Sequence, residues 1–209
     1  MVPIHASMPT LPRHIALVNA DGDSCSSAIA FILDDFEEAF NVYARHDTDP
    51  DTCAPDITRL DANRAKGAGT RALPSFDTVI LGYAACESDL PSRIANQLHD
   101  LSTPGTRLYA IETAEDHDPE FAASSFKSLK TFCSEYRLSW CGGLAVGASD
   151  MIPAVASAPR MGMMRRRLSE ATDKLILAVR CGTDAGTITV PAPVPQLVYQ
   201  FFVNKHQRS

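Results

Sequence analysis

Hydrophobic positions along this chain fall into two kinds of run. Four are short and apolar throughout: residues 15–18, 78–82, 108–111 and 144–146. Polar residues or glycine bound each of them, as expected of strands buried on both faces of a parallel sheet. Between these runs apolar residues recur every three or four positions, the spacing of one helix face. Residues 28–40 line up Ile29, Ile32, Leu33, Phe36, Ala39 and Phe40. Residues 90–101 follow Asp89, an N-cap residue, carry Pro91 in the first turn and offer Ile94, Leu98 and Leu101. Residues 119–136 offer Phe121, Phe126, Leu129, Phe132 and Cys133, while residues 165–179 carry Leu168, Ala171, Leu175 and Val179 before Cys181-Gly182 as C-cap. Strand alternating with helix predicts right-handed βαβ units. The expected fold is therefore α/β, a doubly wound three-layer sandwich with about five helices around a central parallel sheet of about five strands.

Other stretches are less regular. Residues 41–44 predict a further short strand at or near a sheet edge. Residues 47–74 mix Asp, Pro and Gly with one weak helical piece at 57–65, and residues 151–162 read as a loop of Pro, Ala, Ser and Met. Residues 187–202 alternate β-formers with Pro191, Pro193 and Pro195 and lead into the apolar cluster Leu197-Val-Tyr-Gln-Phe-Phe-Val203. The domain plan is a loose leader over 1–13, one domain over 14–186, and a tail over 187–209 that packs on its own or a partner subunit. The leader lacks the cationic start and apolar core of a signal peptide.

Composition narrows the function classes. A length of 209 residues fits one domain with a sizeable core, and 45% hydrophobic with 21% charged residues is ordinary globular usage. A net charge of −6 offers no broad basic field for nucleic acid or anionic membrane, and no run is long and apolar enough to span a bilayer. The run Arg165-Arg166-Arg167 reads as the solvated first turn of the last helix. Six cysteines, Cys25, Cys53, Cys86, Cys133, Cys141 and Cys181, show no C-x-x-C pair. Reduced, mostly buried thiols in a cytoplasm suit that pattern better than disulfides or a zinc site.

In doubly wound sheets ligands sit outside the carboxyl ends of the strands. That rule nominates the loops over 19–27, 83–88, 112–118 and 147–153. The first reads N-A-D-G-D-S-C-S-S between a strand and a helix, a position where free amides and the helix dipole hold phosphate. It also carries Asp21 and Asp23, which repel a phosphate unless a cation lies between.

With these loops laid out, the chain resembles the flavodoxin-like family of NAD(P)H-dependent FMN oxidoreductases. The resemblance rests on Phe76-Asp-Thr-Val-Ile-Leu-Gly82, Asp89-Leu-Pro-Ser-Arg-Ile94, Leu108-Tyr-Ala-Ile111, the glycine-rich Leu138-Ser-Trp-Cys-Gly-Gly-Leu-Ala-Val-Gly147 and the proline-spaced tail. It implies FMN, a small-molecule electron donor and acceptor, and a homodimer or higher homo-oligomer. The cofactor-binding residues it implies are Asp21, Ser24, Ser26 and Ser27 in the first loop, Tyr83, Ala84, Ala85 and Cys86 in the second, and Thr113, Ala114 and Glu115 in the third. No acid, base or nucleophile is implied, because the flavin carries the chemistry.

All three loops depart from the family pattern. Ala20-Asp21-Gly22 replaces a Gly-Ser-Pro start, Cys86 stands where relatives place a ring-stacking aromatic, and Thr113-Ala-Glu-Asp116 replaces a Cys-Gly segment. These departures keep a second reading open, a flavodoxin-like domain without flavin that serves as a binding or assembly module. A third reading is a DHH-type phosphoesterase, suggested by Asn19-Ala-Asp-Gly-Asp23. Leu17 stands where that family has its leading His, and the sequence contains no Asp-His-His. Elsewhere Trp140 reads as a core or interface aromatic, Cys86 as a buried thiol and His117 as a surface residue. Met161, Met163 and Met164 read as flexible interface filler.

Overall fold

A computed structural model describes residues 11–20, 26–46, 55–61, 75–85, 98, 101–116, 118–163 and 165–192. In chain order the elements are β1 (His14–Asn19), α1 (Ser26–His46), β2 (Asp56–Asp61), β3 (Phe76–Ala84), β4 (Ser102–Thr113), α2 (Pro119–Ala123), α3 (Phe126–Tyr136), β5 (Ser139–Val146), a 3₁₀ turn (Ser149–Met151), α4 (Ile152–Ala156), α5 (Arg166–Cys181) and β6 (Thr187–Val190).

The strands form one sheet in the order β2-β1-β3-β4-β5-β6, with every pair parallel. This is the doubly wound arrangement expected, with six strands rather than about five. Alternate side chains of each strand enter opposite cores. Ile15, Leu17, Ile80, Tyr109, Ile111, Leu144 and Val146 pack beneath α1 and α5. Ala16, Val18, Val79, Leu81, Leu108, Ala110 and Ala145 share the other core with Phe126, Leu129 and Phe132 of α3. Leu98 and Leu101 are helical and buried in this second core, and the rest of the helix expected at 90–101 lies outside the described residues.

Several sequence expectations are corrected. Residues 41–44 continue α1 rather than forming an edge strand. Residues 56–61 are the edge strand β2, where a weak helix was expected. The segment 119–136 is two helices, broken at Ser124-Ser125, and residues 152–156 of the expected loop form α4. Thr187–Val190 pair with Gly143–Val146 of β5, so the expected tail begins as a strand of the same sheet.

Two glycines mark close approaches. A methyl at Gly82 would lie 2.9 Å from Ile29 Cγ2 and 3.0 Å from Leu33 Cδ1, because α1 rests directly on β3 there. Gly142 adopts φ +91, and a Cβ there would meet the Gly186 carbonyl oxygen at 2.2 Å. Gly182 closes α5 in the left-handed conformation, as the expected C-cap requires.

Candidate functional site

Strand order reverses between β1 and β3: β2 lies on one side of β1 and all later strands lie on the other. A crevice opens at such a reversal, outside the carboxyl ends of the strands. Backbone hydrogen bonds continue the ladder past those ends. The Ala20 amide donates to the Gly82 carbonyl at 2.8 Å, Ala85 to Thr113 at 2.7 Å, and Ala114 to Val146 at 2.9 Å. Ala148 and Ser149 donate to the carbonyls of Asp116 and Ala114, which ties the loop after β4 to the loop after β5. The nominated loops therefore begin side by side along one edge.

Within that edge the expected site residues separate. Asp21, Ser24 and Cys86 lie outside the described residues, as do Asp23 and His117. Ser26 and Ser27 open α1, whose first turn holds no acidic residue. Tyr83 and Ala84 end β3, and Thr113 ends β4; all three are buried, as is Ala114. Ala85 is half-buried and Glu115 exposed. Tyr83 therefore turns its ring into the core rather than toward the crevice. Among the described residues of these two loops, backbone, the small Ala84, Ala85 and Ala114, and the exposed carboxylates of Glu115 and Asp116 lie at the edge. Among the described residues no group of three His, Cys, Asp or Glu could hold a metal ion.

The sequence reading counted Glu112 as loop; it is instead the penultimate residue of β4, in register with Tyr83 of β3 and Ala145 of β5. Its side chain is 1% exposed. Tyr83 Oη donates to Glu112 Oε2 at 2.7 Å, and Ser125 Oγ, from the break between α2 and α3, donates to the same oxygen. The two hydroxyls are themselves 2.7 Å apart, and Oε1 has no hydrogen-bond partner among the described residues. Burial pushes the Glu112 carboxyl up to about 7, against the opposing pull of the Ser125 and Tyr83 hydrogen bonds. Protonation rearranges these bonds. An ionised Glu112 receives both hydroxyl protons and leaves the Tyr83–Ser125 contact without one. With a proton on Oε2, a closed ring forms in which Glu112 donates to Ser125, Ser125 to Tyr83 and Tyr83 to Glu112. Burial also raises the Tyr83 hydroxyl above its ordinary value, with the Glu112 charge adding to the effect. A sequence signal existed: Glu112 shares parity with Leu108 and Ala110 on a run buried on both faces.

A second buried carboxylate, Asp35 of α1, lies in the opposite core at 4% exposure. Arg165 pairs with it, Arg160 Nε approaches at 3.3 Å, and Arg160 Nη2 also reaches Asp173 Oδ1 at 2.8 Å. Arg165 further stacks 4.9 Å over the Phe31 ring. The expectation of a solvated arginine run holds for Arg166, which is exposed and pairs with Glu170. It fails for Arg165, whose side chain is 13% exposed.

No protein-family model matches the chain, and no curated protein matches its sequence. Solved structures do match. An oxidoreductase from Corynebacterium diphtheriae is similar over 81% of this chain and 98% of its own, at 14% identity and a TM-score of 0.50. The azoreductase AzrA matches over 80% of this chain and 99% of its own, at 10% identity and a TM-score of 0.45. An NADPH-quinone reductase from P. pentosaceus matches over 78% and 97%, at 12% identity and a TM-score of 0.44. Strand order and the first of these likenesses establish a flavodoxin-like α/β fold.

Proposed function

We propose that this protein is an FMN-dependent oxidoreductase passing electrons from NAD(P)H to a small acceptor such as a quinone. The observation that carries this reading is the strand reversal between β1 and β3, the position where sheets of this order take a flavin. Two features of the described residues support this reading. The first turn of α1 opens on Ser26-Ser27 with no acid, so its amides and the helix dipole suit a phosphate. Ala84, Ala85 and Ala114 set no bulky side chain on the edges of the next two loops.

Ser24, Ser26 and Ser27 would hold the phosphate in this reading. The ring would lie along the segments containing Tyr83, Ala84, Ala85 and Cys86 and containing Thr113, Ala114 and Glu115. Bound flavin supplies the electron transfer itself. The chain's own part is to bind, to orient and to keep water away. Glu112, Tyr83 and Ser125 serve orientation by joining the ends of β3 and β4 to the α2–α3 break. The named activities of the similar structures, oxidoreductase, azoreductase and NADPH-quinone reductase, accord with this proposal.

The test is an absorbance spectrum of the isolated protein before and after FMN is added, with quenching of FMN fluorescence as a second readout. Flavin bands, followed by quinone-dependent oxidation of NAD(P)H, are the expected result. Asp21→Ser and Cys86→Tyr should tighten FMN uptake; unchanged affinity overturns the loop analysis. A colourless protein that leaves FMN fluorescence unquenched returns the binding-module reading, which the acidic Glu115 at this edge favours.

A further inference from the structure

The walls around Glu112 are unequal. Tyr83 of β3 and Ala145 of β5 lie in register with it, and both ladders continue past it to the strand ends. The third wall is the break between α2 and α3, which is held less securely. α2 is five residues long. Beyond it, the Lys127 amide reaches the Ser124 carbonyl at 3.4 Å and the Leu129 amide reaches the Ser125 carbonyl at 3.3 Å, both longer than usual. The Ser128 amide meets the Ser125 carbonyl at an ordinary 2.9 Å.

Ser125 stands at the N-cap of α3 yet makes no side-chain capping bond. Its backbone is helical, at φ −68 and ψ −24, and its hydroxyl is turned to Glu112. An N-cap serine ordinarily takes an extended backbone and accepts a hydrogen bond from an amide of the first turn. The break therefore has two arrangements open to it, and the contact with the buried carboxyl selects the one observed.

Among the described residues, no charge near Glu112 competes for this role. β3 contributes Tyr83 and β5 the uncharged Ala145. α3 contributes Cys133, whose thiol burial pushes up to about 12. Glu120 of α2 and Lys127, Lys130 and Glu135 of α3 are exposed. The Glu112 carboxyl answers to burial first and then to the two hydroxyls. Burial opposes its charge, so an ionised Glu112 is stabilised by any motion that brings it water.

We propose that the α2–α3 break is a pH-operated hinge. Loss of the Glu112 proton favours a state in which the break lifts from the sheet, Ser125 caps α3 and the carboxylate is hydrated. The loop after β4 enters α2 through Asp118, whose carboxylate accepts from the Glu120 amide, so the hinge bears on the ligand edge. This inference goes beyond the flavin reading and does not depend on it.

Hydrogen exchange of the full chain at pH 5.5 and pH 7.5, corrected for intrinsic rates, tests it. With Glu112 at 4.5 in the open state and about 7 in the closed one, protection of the Ser128 and Leu129 amides should fall roughly 20-fold between these pH values. The Leu81 and Ile111 amides of the sheet should be better protected at both. They should also respond to urea below the unfolding midpoint, whereas the break should not, because local opening exposes little surface. Glu112→Gln keeps both hydroxyl partners without a titrating proton, so its break should show the same protection at both pH values. If that variant does not fold, the wild-type comparison of break with sheet decides alone. Break amides that match Leu81 in protection and in urea response overturn the hinge. Protection that ignores pH in wild type, or that falls equally in Glu112→Gln, overturns Glu112 as its trigger.

Discussion

Two buried carboxylates face opposite cores of the same sheet, and they are stabilised by opposite means. Asp35 meets two guanidinium groups, Arg160 and Arg165. Among the described residues, Glu112 meets the hydroxyls of Tyr83 and Ser125 and no cation. A cation offsets burial by pairing with the charge, whereas two hydroxyls offset it only in part, so the buried acid holds its proton to higher pH. The second case leaves a titratable group inside the protein with its carboxyl pushed up to about 7. The difference therefore lies in the partners rather than in depth, since both side chains are nearly inaccessible.

The largest effect should come from the ion-paired acid. Asp35→Ala strands Arg165 in a mostly buried position and should cost about 3–4 kcal/mol, read from the urea midpoint. A loss under about 1 kcal/mol would show that the two arginines find water or other partners. Next is the pH dependence of Glu112. Its carboxyl rises from 4.5 to about 7 on folding, so the folded state binds the proton more tightly. The stability it contributes is complete below pH 4.5 and is lost as pH climbs through 7, a span of about 3 kcal/mol. Denaturant titrations at pH 5 and pH 8 should show this decline in wild type and flatten in Glu112→Gln. An equal decline in the variant would assign the effect to another group.

Tyr83→Phe should cost about 1–2 kcal/mol by breaking the ring. It should also move the pH-dependent loss upward, because the Tyr83 hydrogen bond pulls the Glu112 carboxyl down. A loss that stayed at the same pH would mean that Ser125 alone sets the titration. The smallest effect belongs to the exposed Arg166–Glu170 pair on α5, where Arg166→Ala should leave the urea midpoint indistinguishable from wild type, because solvent screens the pair.

These contrasts also mark what the sequence made legible. β1, β3, β4 and β5 stood out because both faces of each are buried, so apolar residues run without interruption. β2 escaped notice because it is an edge strand, and no residue of Asp-Ile-Thr-Arg-Leu-Asp is fully buried. Val42 and Tyr43 were misread for the opposite reason. They are β-formers on the outer side of α1, where their exposure breaks the helical apolar period and mimics a strand. The break at Ser124-Ser125 was hidden because Phe126, Leu129 and Phe132 keep a helical spacing across it. Partnerships between elements, Glu112 with Ser125 and Asp35 with Arg165, join residues 13 and 130 positions apart in the chain, and no local pattern announces them. The edge of the sheet was located by topology, yet Tyr83 faces inward because strand parity continues to its last residues.

Position 82 works as a gauge of the gap between a helix and its sheet. With hydrogen as its side chain, β3 lets Ile29 and Leu33 settle onto its backbone. Any larger residue would act as a shim, lifting the opening turns of α1 away from the strand ends. The position of the first turn of α1, where the proposed phosphate site lies, thus depends on a residue of the neighbouring strand.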